Sequence, residues 1–126
     1  VTSYKIALVE DDPAIQQMYR FKFESEGFEV AVAGNGEDGL RIARHFKPAL
    51  LLLDIRMPRM NGDEMLQELR AEAWGAAIRV IVLTNLSKDE APSVLRFLNV
   101  ERYIVKAHHT PAQVVAIVKE VLGIKS

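Results

Sequence analysis

The 126-residue sequence predicts an α/β fold, a doubly wound parallel five-stranded sheet of (βα)5 form. Three observations carry that expectation. Five short runs are nearly continuous in apolar and β-branched residues, apolar residues at helical spacing lie between them in strict alternation, and cap-proline pairs mark helix starts. Strands of this kind, each followed by a helix, imply a parallel sheet covered on both faces and joined by right-handed crossovers.

The first strand is Lys5–Val9, and Ile15, Met18, Tyr19 and Phe23 repeat at helical spacing after it. Asp12-Pro13 opens that helix, the aspartate as cap and the proline at the first helical position. Phe28–Ala33 is the second strand, followed by a helix carrying Gly39, Leu40 and Ala43. The third strand, Ala49–Leu53, ends on four leucines and leads through Met57-Pro58 and Asn61-Gly62 to a helix marked by Met65, Leu66 and Leu69. Asn-Gly often closes a hairpin, but the helical pattern after it argues for a loop into the third helix that walls any pocket at this edge. Arg79–Thr84 is the fourth strand, and Ala91, Val94, Leu95 and Leu98 predict a fourth helix. Pro92 is tolerated in its first turn and would kink its interior. Arg102–Val105 is the fifth strand, and Thr110-Pro111 opens a fifth helix on Val114, Val118, Val121 and Leu122 that is expected to run almost to Ser126.

The length suits one domain, 1–126, large enough to bury a core without staples. With no cysteine, thiol redox chemistry, disulfides and thiolate metal sites are excluded. A formal net charge of -1 gives no global pull toward nucleic acid or anionic membrane, so partners must be recognised locally. Apolar runs such as Ala49–Leu53 and Val80–Leu83 are far below the roughly 18 residues of a membrane span, and the N-terminus lacks a signal pattern. The expectation is a soluble, cytoplasmic protein with neither direct nucleic-acid binding nor membrane association, and with no repeat, linker or output domain in the chain.

In open parallel sheets, ligands bind outside the carboxyl ends of the strands. Glu10 and Asp11 follow the first strand, Asp54 the third and Lys106 the fifth, while Thr84 ends the fourth, so all five project to one edge. Three carboxylates brought together either raise their pKa values or recruit a cation, and an all-oxygen set suits Mg²⁺ or a similar hard ion. Asp54, held at the rim of a buried strand, is then a candidate nucleophile that forms an acyl phosphate. Lys106 supplies a mobile positive charge for the phosphoryl group and the Thr84 hydroxyl a donor to one of its oxygens. Each residue also has an ordinary structural explanation: Asp12 as a helix cap, Glu10 and Asp11 as solvated loop acids, Asp54 as a turn cap, Thr84 and Lys106 as a strand-end threonine and an exposed lysine. Their convergence on one edge carries the inference. His108 and His109, adjacent and without further partners, read as surface residues.

Val9-Glu10-Asp11-Asp12, Asp54 with Met57-Pro58 and Asn61-Gly62 after it, Thr84, and Tyr103-Ile104-Val105-Lys106 together resemble the response-regulator receiver domain of two-component signalling over nearly the whole chain. The resemblance implies a flavodoxin-like sheet of strand order 2-1-3-4-5, like that of a chemotaxis regulator. It implies phosphorylation of Asp54 by a histidine kinase or histidine phosphotransfer protein, with Glu10, Asp11, Asp54 and the backbone carbonyl of Arg56 around Mg²⁺ (or Mn²⁺). Thr84 and Lys106 resemble the switch hydroxyl and the phosphate-pairing lysine, and Tyr103 the aromatic that turns inward on activation. The implied output surface is the fourth helix, fifth strand and fifth helix, which would meet an output protein or domain and could support a homodimer through Phe97, Val100 and Tyr103. Such a chain is a phosphoacceptor that assists its own phosphorylation and dephosphorylation, rather than a turnover enzyme; Arg56 and Leu86 would modulate attack by water.

The sequence departs from the family pattern in places. Ala107 follows Lys106 where a cis-proline is usual, and a cis bond without proline costs about 3 kcal/mol, so a reshaped loop is expected. Asn85 replaces a small alanine, and Asn99-Val100 a Gly-Ala, although asparagine tolerates left-handed geometry. These changes cluster near the output face. Two alternatives remain at this level: a phosphate-independent receiver-like interaction module, and a hydrolase with an aspartate nucleophile, which would need an acid where Arg56 stands.

Overall fold

The computed structural model describes residues 3–124. Strands β1 (Lys5–Val9), β2 (Glu29–Ala33), β3 (Leu50–Leu53), β4 (Arg79–Thr84) and β5 (Val100–Val105) form one parallel sheet ordered β2-β1-β3-β4-β5. The chain runs outward from β1 to β2 and then back across to β3, so the order reverses between β1 and β3, where the carboxyl ends leave a crevice.

The sheet divides the apolar residues by alternation, because successive side chains on a strand face opposite ways. On one face Ala7, Val9, Leu51, Leu53, Val80 and Val82 pack against α2 (Gly36–Phe46) and α3 (Gly62–Ala71) through Ala43, Met65, Leu66 and Leu69. On the other, Ile6, Leu8, Leu50, Leu52, Ile81, Leu83 and Ile104 pack against α1 (Pro13–Ser25) and α4 (Pro111–Leu122) through Tyr19, Phe23, Val114, Val115 and Val118. Both faces of β1, β3 and β4 are thus covered, which explains why those strands read as unbroken apolar runs. The helix starts stand where the caps put them: the Asp12 carboxylate accepts from the Ala14 and Ile15 amides at 2.9 and 3.2 Å, and the Thr110 hydroxyl accepts from Gln113 at 3.2 Å. Asn61 caps α3, with the Glu64 carboxylate accepting from the Asn61 amide at 3.1 Å, so Asn-Gly is a helix entry and no hairpin.

The predicted fourth helix does not form as an α-helix. Its residues make two 3₁₀ turns, Lys88–Glu90 and Ser93–Phe97, separated by Ala91 and Pro92 in extended conformation (ψ 142° and 131°). Clash with the proline ring drives the preceding residue out of the helical region, and Pro92 itself has no amide to donate. Ala91, Leu95 and Leu98 still turn toward the sheet, which is why the apolar spacing imitated a helix. Strand boundaries shift slightly. β2 and β3 begin one residue late, Phe28 packing edge-on against Phe23 with centroids 5.4 Å apart. β5 begins at Val100, two residues before the expected Arg102, because Asn99 takes the left-handed conformation (φ 54°) and turns the chain into register with β4. α4 ends at Leu122, capped by Gly123 (φ 72°); Ser126 lies outside the described residues. Among the described residues no helix is long and apolar enough to cross a membrane.

Gly62, the first residue of α3, draws the helix against the end of β3. Its amide donates to the Ile55 carbonyl at 2.7 Å, and a Cβ there would stand 2.0 Å from the Asp54 carbonyl oxygen. Gly62→Ala is therefore expected to destabilise the fold by about 1–3 kcal/mol, as overpacking of a closed contact does. Urea unfolding should show a lower midpoint at unchanged slope; an unchanged midpoint would mean that the contact relaxes freely.

Candidate functional site

The sheet's hydrogen-bond ladder extends one residue past β1 and β3, and this fixes two acids at the crevice. The Glu10 amide donates to Ala33 at 2.9 Å and the Asp54 amide to Val9 at 3.0 Å. Gln16, on the first turn of α1, donates its side-chain amide to the Glu10 carbonyl at 3.0 Å and lies 3.3 Å from that of Ala33, pinning the strand end to the helix. Asp54 is buried among apolar neighbours; one carboxylate oxygen accepts from the Ile55 amide at 2.7 Å. Glu10 is buried too, one oxygen accepting from the Asp12 amide at 3.0 Å.

Lys106, directly after β5, reaches into this crevice, its ammonium donating to Asp54 Oδ2 at 2.9 Å and to Glu10 Oε1. Burial opposes its charge, but the hydrogen bonds and charges of Glu10 and Asp54 outweigh it and hold Lys106 above the ordinary lysine value. Burial likewise raises Glu10 above the usual carboxylate range, against the pull of Lys106 and of the Asp12 amide. Asp11, on the solvent side, completes a group in which Glu10, Asp11 and Asp54 each offer a carboxylate oxygen within 4.8 Å of the others. One ammonium offsets only one of three carboxylate charges. The all-oxygen donors and the open flank at Asp11 fit a hard divalent cation that keeps part of its water shell.

Thr84 and Tyr103 meet at Leu86. The Thr84 hydroxyl, buried at the end of β4, accepts from the Leu86 amide at 3.4 Å, and the half-buried Tyr103 donates to the Leu86 carbonyl at 2.9 Å. Burial, with the negative charges of Glu90 and Asp54, raises the Tyr103 phenol above its usual value. Arg56 lies two residues after Asp54 in the turn toward α3, its side chain exposed.

Glu10, Asp54 and Lys106 thus converge as the sequence predicts, with Asp11 beside them, and Thr84 and Tyr103 converge on a neighbouring residue. Asn85 is exposed. The loop after Lys106 is reshaped as expected: the described residues contain no cis peptide bond, and Lys106–His108 is a 3₁₀ turn closed by the His109 amide on the Lys106 carbonyl at 3.3 Å. His108 is exposed; His109 is half-buried, its Nδ1 3.3 Å from the Val105 carbonyl oxygen. Sequence reasoning missed Gln16, whose role depends on a contact between the ends of two strands, and Gly62, for which the Asn-Gly pair was a signal of a tight turn but not of the approach to Asp54.

The family model for the response regulator receiver domain matches residues 6–119. Among curated relatives, the DNA-binding response regulator MtrA of Mycobacterium leprae is 32% identical over 117 residues, 91% of this chain and 49% of MtrA. The chain spans about half or less of the length of the curated relatives it resembles. A CheY-like response regulator receiver domain protein of Methanospirillum hungatei JF-1 superimposes with a TM-score of 0.86 at 28% identity, covering 97% of this chain and 95% of that one. The receiver domain of the sensor histidine kinase PA1611 of Pseudomonas aeruginosa PAO1, solved with a magnesium ion coordinated in its active site cleft, gives 0.85 at 26% identity, covering 97% and 99%. The sheet order and the crevice at its reversal are those of a receiver, and this chain belongs to the response regulator receiver domain family.

Proposed function

We propose that this chain accepts a phosphoryl group on Asp54 from the phosphohistidine of a histidine kinase or histidine phosphotransfer protein, and relays the event through the surface around β5. The observation that carries this reading is the bridge of Lys106 to Glu10 and Asp54 with Asp11 alongside: two further acids and one lysine ammonium around the Asp54 carboxylate.

The Asp54 carboxylate attacks phosphorus in line; the O–P bond forms as the N–P bond to the donor imidazole breaks, and the ring nitrogen takes the electron pair. Glu10, Asp11, Asp54 and the Arg56 carbonyl would hold Mg²⁺ (or Mn²⁺), whose charge, when bound, lets one anion approach another. Lys106 follows the developing charge from the carboxylate to a phosphoryl oxygen. Thr84 then donates its hydroxyl proton to another phosphoryl oxygen and turns from the Leu86 amide, and Tyr103, bonded to the same residue, is free to move inward. The changed surface comprises residues 88–98, β5 and α4, and it biases contact with an output protein or domain. Hydrolysis of the acyl phosphate resets the chain, and the exposed Arg56 and the buried Leu86 set how readily water attacks. The chain acts as a stoichiometric acceptor in the cytoplasm, and Phe97, 80% exposed, with Val100 and Tyr103 of β5 could seat a second copy once phosphorylated.

Incubation with Mg²⁺ and a small-molecule phosphodonor should add one phosphoryl mass to the unmodified chain and none to Asp54→Asn. Failure to label under conditions that label another receiver would favour the phosphate-independent interaction module. Asp11→Asn should weaken Mg²⁺ binding, read by calorimetry, roughly tenfold or more; an unchanged affinity would remove Asp11 from the ion's ligands.

A further inference from the structure

Arg70, at the end of α3, lies far from the acids in the sequence and was not singled out by any motif, yet it makes a denser set of contacts than most side chains on the surface. Its guanidinium donates to the carbonyls of Leu98 at 2.8 Å and Asn99 at 3.1 Å, and to those of Gly75 and Ile78 at 3.0 and 2.6 Å, with Ala76 at 3.3 Å. One planar fork therefore ties the turn before β4 to the turn before β5, a geometry a lysine cannot reproduce. Asn99, fixed in the left-handed conformation, sits in the same knot.

The other end of the segment is held differently. Leu86 and Ser87 are joined to the sheet through two side chains alone: the Leu86 amide donates to the Thr84 hydroxyl, and the Tyr103 hydroxyl lies 2.9 and 3.3 Å from the Leu86 and Ser87 carbonyl oxygens. Between the ends, isolated i to i+3 backbone bonds and the Ser87–Glu90 capping box close the two 3₁₀ turns locally, and Ala91 and Pro92 between them are extended. The segment is thus weakly bonded internally, lightly fastened in front and clamped behind.

We propose that Arg70 is the fixed pivot of residues 87–98, so that the segment swings from its front end while its rear, Leu98 and Asn99, stays on the sheet. Arg70 is a positioning residue: it touches no reacting group and directs which end of the segment responds. The front-end trigger rests on the proposed phosphoryl cycle, but the asymmetry does not, because it follows from the bonds at each end. A pivot of this kind confines motion to the part of the surface nearest Asp54 and leaves the entry to β5 in register.

Amide hydrogen exchange resolved by residue tests this without phosphate. Tyr103→Phe, which removes the hydroxyl proton shared between the Leu86 and Ser87 carbonyls, should speed exchange at Leu86, Glu90 and Ala91 by about fivefold, the loss of one ordinary hydrogen bond, while Leu98, Gly75 and Ile78 stay within about twofold. In Arg70→Lys, which keeps the charge but loses the fork, the rear amides should accelerate and the Tyr103→Phe effect should spread to Leu98 and Asn99. Equal acceleration at both ends in Tyr103→Phe alone, or no change at either end, would overturn the proposal, as would an Arg70→Lys chain with wild-type rear exchange. Adding beryllofluoride and Mg²⁺ to the unmodified chain separates the two readings. Front-limited change supports both, whereas no response to beryllofluoride together with the asymmetric Tyr103→Phe pattern leaves the pivot standing and counts against phosphoacceptance.

Discussion

The contact on which the site depends is the Lys106 ammonium between Glu10 and Asp54. Both acids are buried, and a buried carboxylate without a partner carries a desolvation cost that its surroundings must offset. Lys106 supplies that offset from the opposite side of the crevice, across β4, so β1, β3 and β5 are electrostatically joined at their carboxyl ends. Removing one member of such a buried set typically costs about 3–5 kcal/mol, whereas replacing a whole set by well-packed apolar residues is often neutral or favourable. Such a cluster contributes little to stability by itself, and what it offers instead is an all-oxygen donor set for a hard cation beside a lysine ammonium.

The parallel sheet makes this arrangement possible. Its helices cover both faces, which obliges β1, β3 and β4 to be apolar almost throughout and leaves polar side chains to the strand ends, Lys5 and Arg79 at the starts and the site residues where the strands stop. Because every strand points the same way, those stops share one edge. The reversal of order between β1 and β3 keeps the helices that follow from closing over it, and Gly62 lets α3 start directly against Asp54 so that the acid sits at the end of a rigid element rather than on a free loop.

What was legible in the sequence follows the same division. Alternation, caps and strand-end acids are local or periodic signals, and they located β1 to β4, the starts of α1 and α4, and the convergence of Glu10, Asp54 and Lys106. The fourth helix was misjudged because its apolar spacing is satisfied equally by two short turns over the same face, and the decisive term was local: the clash of Pro92 with Ala91. Strand β5 was shortened for a related reason, since the left-handed turn at Asn99 returns the chain to the sheet earlier than hydropathy suggests. Gln16 and Arg70 could not be found at all: each is an ordinary polar residue on a helix, and each matters through carbonyls brought beside it by tertiary contact.

The loss of the fourth helix changes how a signal at Asp54 can travel. A continuous helix packed on the sheet would move as one body, carrying its far end with its near end. Two 3₁₀ turns joined by an extended pair transmit little along their length, since no bond spans the break at Ala91 and Pro92 among the backbone bonds of this segment. The bonds that join the front of the segment to β4 and β5 are those of Thr84 and Tyr103 to Leu86 and Ser87, and the Arg70 fork holds the chain behind Leu98. If Arg70 is the pivot proposed above, a change at Thr84 and Tyr103 is felt first by residues 87–91, and the rest of the face, β5 and α4 included, follows through packing rather than through a rigid helix.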